Sequence, residues 1–326
     1  MQRDVATKKT AEKPGLLETI AEGFSTVLYR PFLITIPVLL DLFFWLGWTF
    51  KPTALAARLV LRLGSSDGVA AAEIKRSVTD FGTWDVSGLT SFLVPSLVSG
   101  IDRTKIYTVR DQIDLSQNRW WLDLAVIVGV FIGSSLLLAS YSVPLADSVL
   151  GRNRTLRETA HAIGRAWGGI LGLFAALLGI AALVFAPLAV AWVALLAVDV
   201  DSCPLLGAVA ALIGFAIYLA SWFAPDAIVV SQASPLQAIA LSATVVRRNF
   251  LETVSFIVAS LVITFGLAGV WMRMGESAPG LLLAVIAHSV VASALVMSSL
   301  HFFNSRIRTW RPEAAFPPTP DANPQS

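Results

Sequence analysis

Cysteine is almost missing from this chain: Cys203 is the only one in 326 residues, which excludes an internal disulfide and any multi-cysteine metal site. Histidine is nearly as scarce, and His161, His288 and His301 show no metal-ligand spacing, so no metal site is expected. Charged residues make up only 14% of the chain, against about 25% in an ordinary soluble domain. The net charge of +2 gives no reason to expect a nucleic-acid partner. No Gly-rich phosphate loop, nucleophile elbow or zinc-binding helix motif occurs, so neither catalytic machinery nor a cofactor is expected. The first 13 residues are polar, which argues against a cleavable signal peptide ahead of the first apolar block.

What the chain has in excess is apolar sequence, 56% of its residues. It comes in six long blocks, 31–50, 121–143, 168–198, 204–223, 250–271 and 279–303. A bilayer core about 30 Å thick needs roughly 20 apolar residues per helix, so each block is expected to cross a membrane. Helix is the required form, because an open sheet leaves backbone groups unsatisfied in hydrocarbon and barrel strands alternate in polarity. Gly129, Gly133, Ser134 and Ser135 suit close helix packing.

Six crossings place both termini on one side. That side receives Arg3, Lys8, Lys9, Lys13 and Arg30, then Arg152, Arg154, Arg157 and Arg165, then Arg247 and Arg248, then Arg306, Arg308 and Arg311. The opposite short loops hold only Arg273. By the positive-inside rule both termini are cytoplasmic.

Segment 51–120, too long to be read by charge, forms an outer insertion. Its helical pattern at Ala54, Ala57, Arg58, Leu61 and Arg62 and its turn signals at Gly64, Ser65 and Gly68 predict a small helical cap. The apolar stretch 89–101 contains Pro95 and is too short to span, so it is expected at the interface or dipping into it. Trp120 and Trp121 fit an interfacial anchor. Tails 1–13 and 309–326 are expected to be disordered, the second being Pro-rich.

An internal repeat organises the blocks. At an offset of 80, Thr155, Leu156 and Ala160 align with Pro235, Leu236 and Ala240, and at an offset of 140, Leu16, Glu18 and Thr19 match Leu156, Glu158 and Thr159. Each copy carries an apolar stripe at helical spacing: Leu17, Ile20, Phe24, Val27; Leu156, Ala160, Ile163, Trp167; and Leu236, Ala240, Ala243, Val246. Thr155 with Glu158 forms a capping-box pattern, and Ser234 with Pro235 supplies an N-cap and a first-turn proline. The expected fold is all-α and membrane-embedded, three repeats of a cytoplasmic amphipathic helix plus a two-span hairpin: 14–150 with the insertion, 151–230 and 231–308.

Within 224–263, Pro225 and Asp226, the run Ser234 to Ala238, and Arg248 to Phe250 form a pattern of Pro and acid, a Ser-Pro-Leu-x-Ala turn, and Arg-Asn-Phe leading into a span. This resembles a bacterial family, the six-helix membrane domain that is fused to some glycerophosphodiester phosphodiesterases and also occurs alone. The last block ends similarly in His301 to Arg308, where the family tends to have an Asp at the position of Asn304. The resemblance covers the last two repeats. It implies an integral fold in a bacterial plasma membrane and little about activity, since no soluble phosphodiesterase domain is present, and the Asn304 departure argues against a required carboxylate there.

Two polar residues lie inside blocks. Asp41 is ten residues into the first, where an acid costs a few kcal/mol, so it is either a functional group or a hydrogen-bonded helix contact. His288 lies midway along the sixth, at a depth where it would form a proton relay with Asp41 if the helices are neighbours, or else a packing histidine. Asp147 and Asp226 each follow a proline near a cytoplasmic helix end and are expected to cap the next turn or pair with Arg157 or Arg248, the alternative being that these residues and Asn304 are ligand positions on the cytoplasmic face. The 31-residue third block includes Pro187, which predicts tilt or a kink.

The function expected is a non-catalytic membrane module acting through its shape and its cytoplasmic helices. Its partners are the lipid bilayer, anionic lipid at the cytoplasmic face, where each arginine adds about 1 kcal/mol of attraction, and a partner membrane protein. A transporter or channel using Asp41 and a membrane-embedded lipid enzyme are the alternatives.

Overall fold

The apolar blocks become helices because every backbone polar group is then satisfied within its own segment. The computed structural model describes residues 14–46, 48–64, 69–86, 88–91, 93–98, 113–114, 119–197 and 203–309. The tails 1–13 and 310–326 lie outside the described residues.

Helix α1 (Leu16–Tyr29) is followed by a 3-10 turn (Pro31–Ile34) and α2 (Thr35–Leu46). The first block ends in β1 (Trp48–Thr49), and the insertion supplies α3 (Thr53–Arg62), α4 (Val69–Thr83), α5 (Gly88–Ser91) and β2 (Ile113–Asp114), the two short strands pairing in parallel. Then come α6 (Trp120–Leu150), α7 (Leu156–Ala197), α8 (Cys203–Ser221), α9 (Ala224–Ser231), α10 (Pro235–Arg248), α11 (Phe250–Met274) and α12 (Ala278–Arg308). Among the described residues, five helices are long and apolar enough to cross a membrane, or six if the bent pair α1 and α2 is one span.

The first block departs from expectation. Instead of a straight 20-residue helix, α2 has 12 residues, about 18 Å at 1.5 Å per residue, and meets α1 at 96°. The cause is local. A residue before proline is pushed out of the α region, and Arg30 sits at φ −131°, ψ 67° ahead of Pro31, with its N–H donated back to Thr26 and Val27.

Three helices open with the same reach-back contact. The N–H of Gly15 donates to Glu18 at 3.2 Å, that of Thr155 to Glu158 at 2.7 Å, and that of Ser234 to Gln237 at 3.3 Å. These caps stand 140 and 79 residues apart. Fifteen residues after its cap, Asn249 has φ −129°, ψ 42°, close to the conformation of Arg30, and separates α10 from α11. The corresponding Ile170 stays helical inside α7, which runs unbroken for 42 residues. Pro187 lies within this helix without dividing it.

The expected apolar stripes are partly misplaced. Leu17, Leu156 and Leu236 are exposed, as are Ala160 and Ala240. The buried faces are Thr19, Gly23 and Val27 on α1, Ala162 and Ala166 on α7, and Ala238, Leu241, Ser242, Val245 and Val246 on α10. Small residues win these positions because they allow close approach: a Cβ on Gly23 would lie 2.5 Å from the Ala294 carbonyl oxygen of α12, and one on Gly172 would lie 2.6 Å from Pro235. Gly129 and Gly133, expected at close contacts, have open space where a Cβ would stand.

The main core gathers at the end away from the insertion, where α1, the second half of α6, the first half of α7, α9, α10 and the end of α12 meet. Phe302 stacks on Phe223 at 5.3 Å and on Phe256 at 5.1 Å. Buried Arg306 locks this end: it donates to Glu252 at 2.8 Å and to the Pro14 carbonyl at 3.1 Å, and lies 4.8 Å over Phe302. By contrast, only 6% of the most apolar window of α7 is buried, against 39% for α12. Little of α7 in that window is fully buried, and large side chains such as Leu178, Leu183 and Val190 are exposed.

Candidate functional site

At the insertion end, buried Asp41 of α2 accepts three hydrogen bonds: from the Ser96 hydroxyl at 2.6 Å, the Val98 N–H at 3.0 Å and the Leu97 N–H at 3.1 Å. An irregular segment beside a helix bundle must find acceptors for its N–H groups, and this carboxylate provides them. His288, half-buried on α12, is not a partner of Asp41.

Asp123, the fourth residue of α6, does similar work and was missed among the site residues, although its placement just after Trp120 and Trp121 was a readable signal. It is fully buried, and one oxygen accepts the Leu55 N–H in the first turn of α3 at 2.8 Å, an N-terminal cap supplied from a distant helix. Its other oxygen has no hydrogen-bond partner among the described residues. Asp85 accepts the Phe50 N–H at 3.3 Å, Thr90 bonds Ser134 at 2.8 Å, and the Arg58 guanidinium lies 4.5 Å over the Trp120 ring. Carboxylates, hydroxyls and one cation–π contact thus fasten the insertion across α2 and α6.

Beneath it lies a groove of about 830 Å³, within the roughly 300–1,000 Å³ typical of small-molecule sites. Its walls are stripes at helical spacing: Ile36, Leu39, Leu40, Phe43 and Phe44 on α2, and Leu122, Val126, Val130, Gly133 and Leu137 on α6. Phe50 and Thr90 close it from the insertion. Thr90 and Ser134 are the hydroxyl-bearing residues that line it, and they are bonded to each other. Among the described residues no ionisable group lines the groove, and what they offer is shape and apolar contact.

At the opposite end the sequence-predicted residues scatter. Asp147 pairs with Arg154 at 3.3 Å, not with Arg157, which is exposed on the first turn of α7. Asp226 accepts the Ser299 hydroxyl of α12 at 2.5 Å rather than a bond from Arg248, which is exposed at the end of α10. The expected pairings fail because the Gly151 turn, at φ 64°, brings the Arg154 side chain back onto α6, and because α9 packs against α12. Asn304 is buried and accepts from Arg308 at 3.2 Å. No protein-family model, curated protein or solved structure matches this chain.

Proposed function

We propose that this protein is a non-catalytic multi-pass module of a bacterial plasma membrane, and that its groove between α2 and α6 holds the acyl chain of a membrane lipid. The observation that carries the reading is the lining: two apolar helix stripes whose neighbouring hydroxyls are already paired with each other. Such a surface rewards a hydrocarbon chain by about 0.8 kcal/mol per buried methylene relative to water, and its advantage over bulk lipid is shape.

The orientation is read from the arginines, with the insertion outside and both termini cytoplasmic. The three reach-back caps support the threefold unit of helix plus hairpin, and the resemblance of 224–263 to the six-helix membrane domain supports the compartment. The outward apolar surface of α7 suits bilayer lipid or a partner membrane protein. Transport through Asp41 loses support because its carboxylate is occupied by Ser96, Leu97 and Val98.

The test fills the groove. Gly133 has open space at its Cβ position, so Gly133→Trp is accommodated by folding and occupies the volume. Native mass spectrometry of protein released from native-lipid nanodiscs is expected to show retained lipid on the wild type and its loss in the variant. Equal retention would remove the reading.

A further inference from the structure

The loop that joins α6 to α7 reads GRNRT, with two arginines in five residues. Its first residue, Gly151, takes the left-handed conformation that ends α6, so the chain reverses at once and its cations stay against the helix they have just left. Arg154 reaches Asp147 at 3.3 Å, with both side chains largely buried. Arg165, three turns into α7, donates to the Gln232 side-chain oxygen at 3.3 Å, and Gln232 is held at φ 51° as the left-handed cap of α9. Arg154 and the exposed Arg165 and Gln232 line one small, partly open pocket of about 120 Å³ between α6, α7 and α9, with small apolar residues such as Ala162 and Gly169 as its floor.

The charges there do not balance. Arg152 is near enough to feel both Arg154 and Asp147, and its Nη1 is buried without an acceptor among the described residues. Burial first, then the neighbouring Arg154 guanidinium, holds Arg152 below the usual arginine range, with Asp147 acting the other way. The next carboxylate, Glu158, is fully exposed and already engaged by the backbone and hydroxyl of Thr155. Arg152 and Arg154 thus share one buried acid, Arg165 adds an exposed cation to the pocket lining, and a buried donor left unmade costs about 1–3 kcal/mol or more when charged.

We infer that this pocket binds a phosphate group, held between Arg154 and Arg165 with Arg152 as the flanking cation. Guanidinium forks match phosphate oxygens and give strong charge-assisted hydrogen bonds, and the volume suits a compact oxyanion rather than a nucleotide. The source is either free phosphate or the headgroup of an anionic phospholipid. On α6 the groove lining ends at Leu137 and this pocket's lining begins at Val143, six residues on, about 9 Å at 1.5 Å each, and the two share no lining residue, so it is a second site and does not depend on the acyl-chain reading.

The test uses the full chain in two arms. In phosphate-free detergent, inorganic phosphate is titrated and followed by tryptophan fluorescence or calorimetry. In nanodiscs of phosphatidylcholine with one quarter phosphatidylglycerol, retained anionic lipid is counted by native mass spectrometry. Arg165→Gln and Arg152→Gln are each expected to weaken binding at least about tenfold in whichever arm binds, as loss of a charge-assisted bond implies. Asp147→Asn, which removes the competing acid, is expected to strengthen it, a gain that a misfolded protein does not give. Arg157→Gln, an equal loss of charge on an exposed residue, is expected to leave it unchanged. Response to inorganic phosphate identifies a free anion, and response in the nanodisc arm alone identifies a headgroup. Binding in neither arm, or equal weakening by Arg157→Gln, overturns the site. Because phosphate has no acyl chain, failure of the groove reading leaves the first arm intact.

Discussion

Apart from the local helix caps at Glu18 and Glu158, the two ends of the bundle use acids differently. At the insertion end, Asp41, Asp85 and Asp123 each accept backbone N–H groups from residues 35 to 68 positions away in sequence. At the opposite end, Asp147, Glu252 and Glu22 meet side-chain partners, Arg154, Arg306 and His301. Backbone N–H groups carry no formal charge and have no side-chain freedom to lose, so the first arrangement fixes a piece of chain in place and leaves the nearby groove apolar. Guanidinium partners bring charge with them, and where they outnumber the acids the surplus is available to an anion. The first end holds a roof over an apolar groove, and the second holds helices together beside a cationic pocket.

The comparison breaks most severely at Asp41. Asp41→Ala leaves two N–H groups and a hydroxyl buried without acceptors, each worth about 1–3 kcal/mol. Hydrogen exchange at Leu97 and Val98 is expected to accelerate by more than a hundredfold, with the core around Phe302 still protected. Unchanged exchange would show that another group holds the segment.

Arg306→Met tests the other end. It keeps much of the apolar stem while removing the bonds to Glu252 and Pro14, and is expected to destabilise the fold by about 2 kcal/mol, the order of one or two hydrogen bonds to a charged group. Unfolding in a detergent titration reports this. Loss of protection is expected to begin at α1 rather than at the insertion.

Asp123→Ala sharpens the comparison with a smaller effect. Removing an N-terminal cap costs about 1 kcal/mol, and here the free carboxylate oxygen is itself unsatisfied, so its removal offsets part of the loss. The expected result is faster proteolysis within α3 with no change at the opposite end.

Much of the architecture was legible because five blocks are long and apolar, which is what a helix needs to bury nothing polar in lipid. The first block was less so. Its apolar count read as a full span, while the bend depended on one dihedral at Arg30 ahead of Pro31. The caps were readable from Thr155 with Glu158 and from Ser234, since they are local in sequence. The faces were not, because hydropathy favours Leu17, Leu156 and Leu236, whereas close helix contacts are made by Gly23, Ala162 and Ala238. Asp41 stood out as an acid in an apolar run, but its partners lie 55 to 57 residues away and no periodicity points to them. The groove was equally hidden: the α2 and α6 stripes are ordinary helical spacing, and only their mutual placement makes a cavity.

The most direct test of the groove places a photoreactive amino acid at position 133 and, in a separate protein, at Leu183, which is exposed on α7. Both sites face hydrocarbon in the proposed orientation, so random lipid contact labels both alike. Stronger phospholipid adduct formation at 133, abolished by Val130→Trp, is the predicted result. Equal labelling at the two positions would contradict the claim that the groove holds a lipid chain.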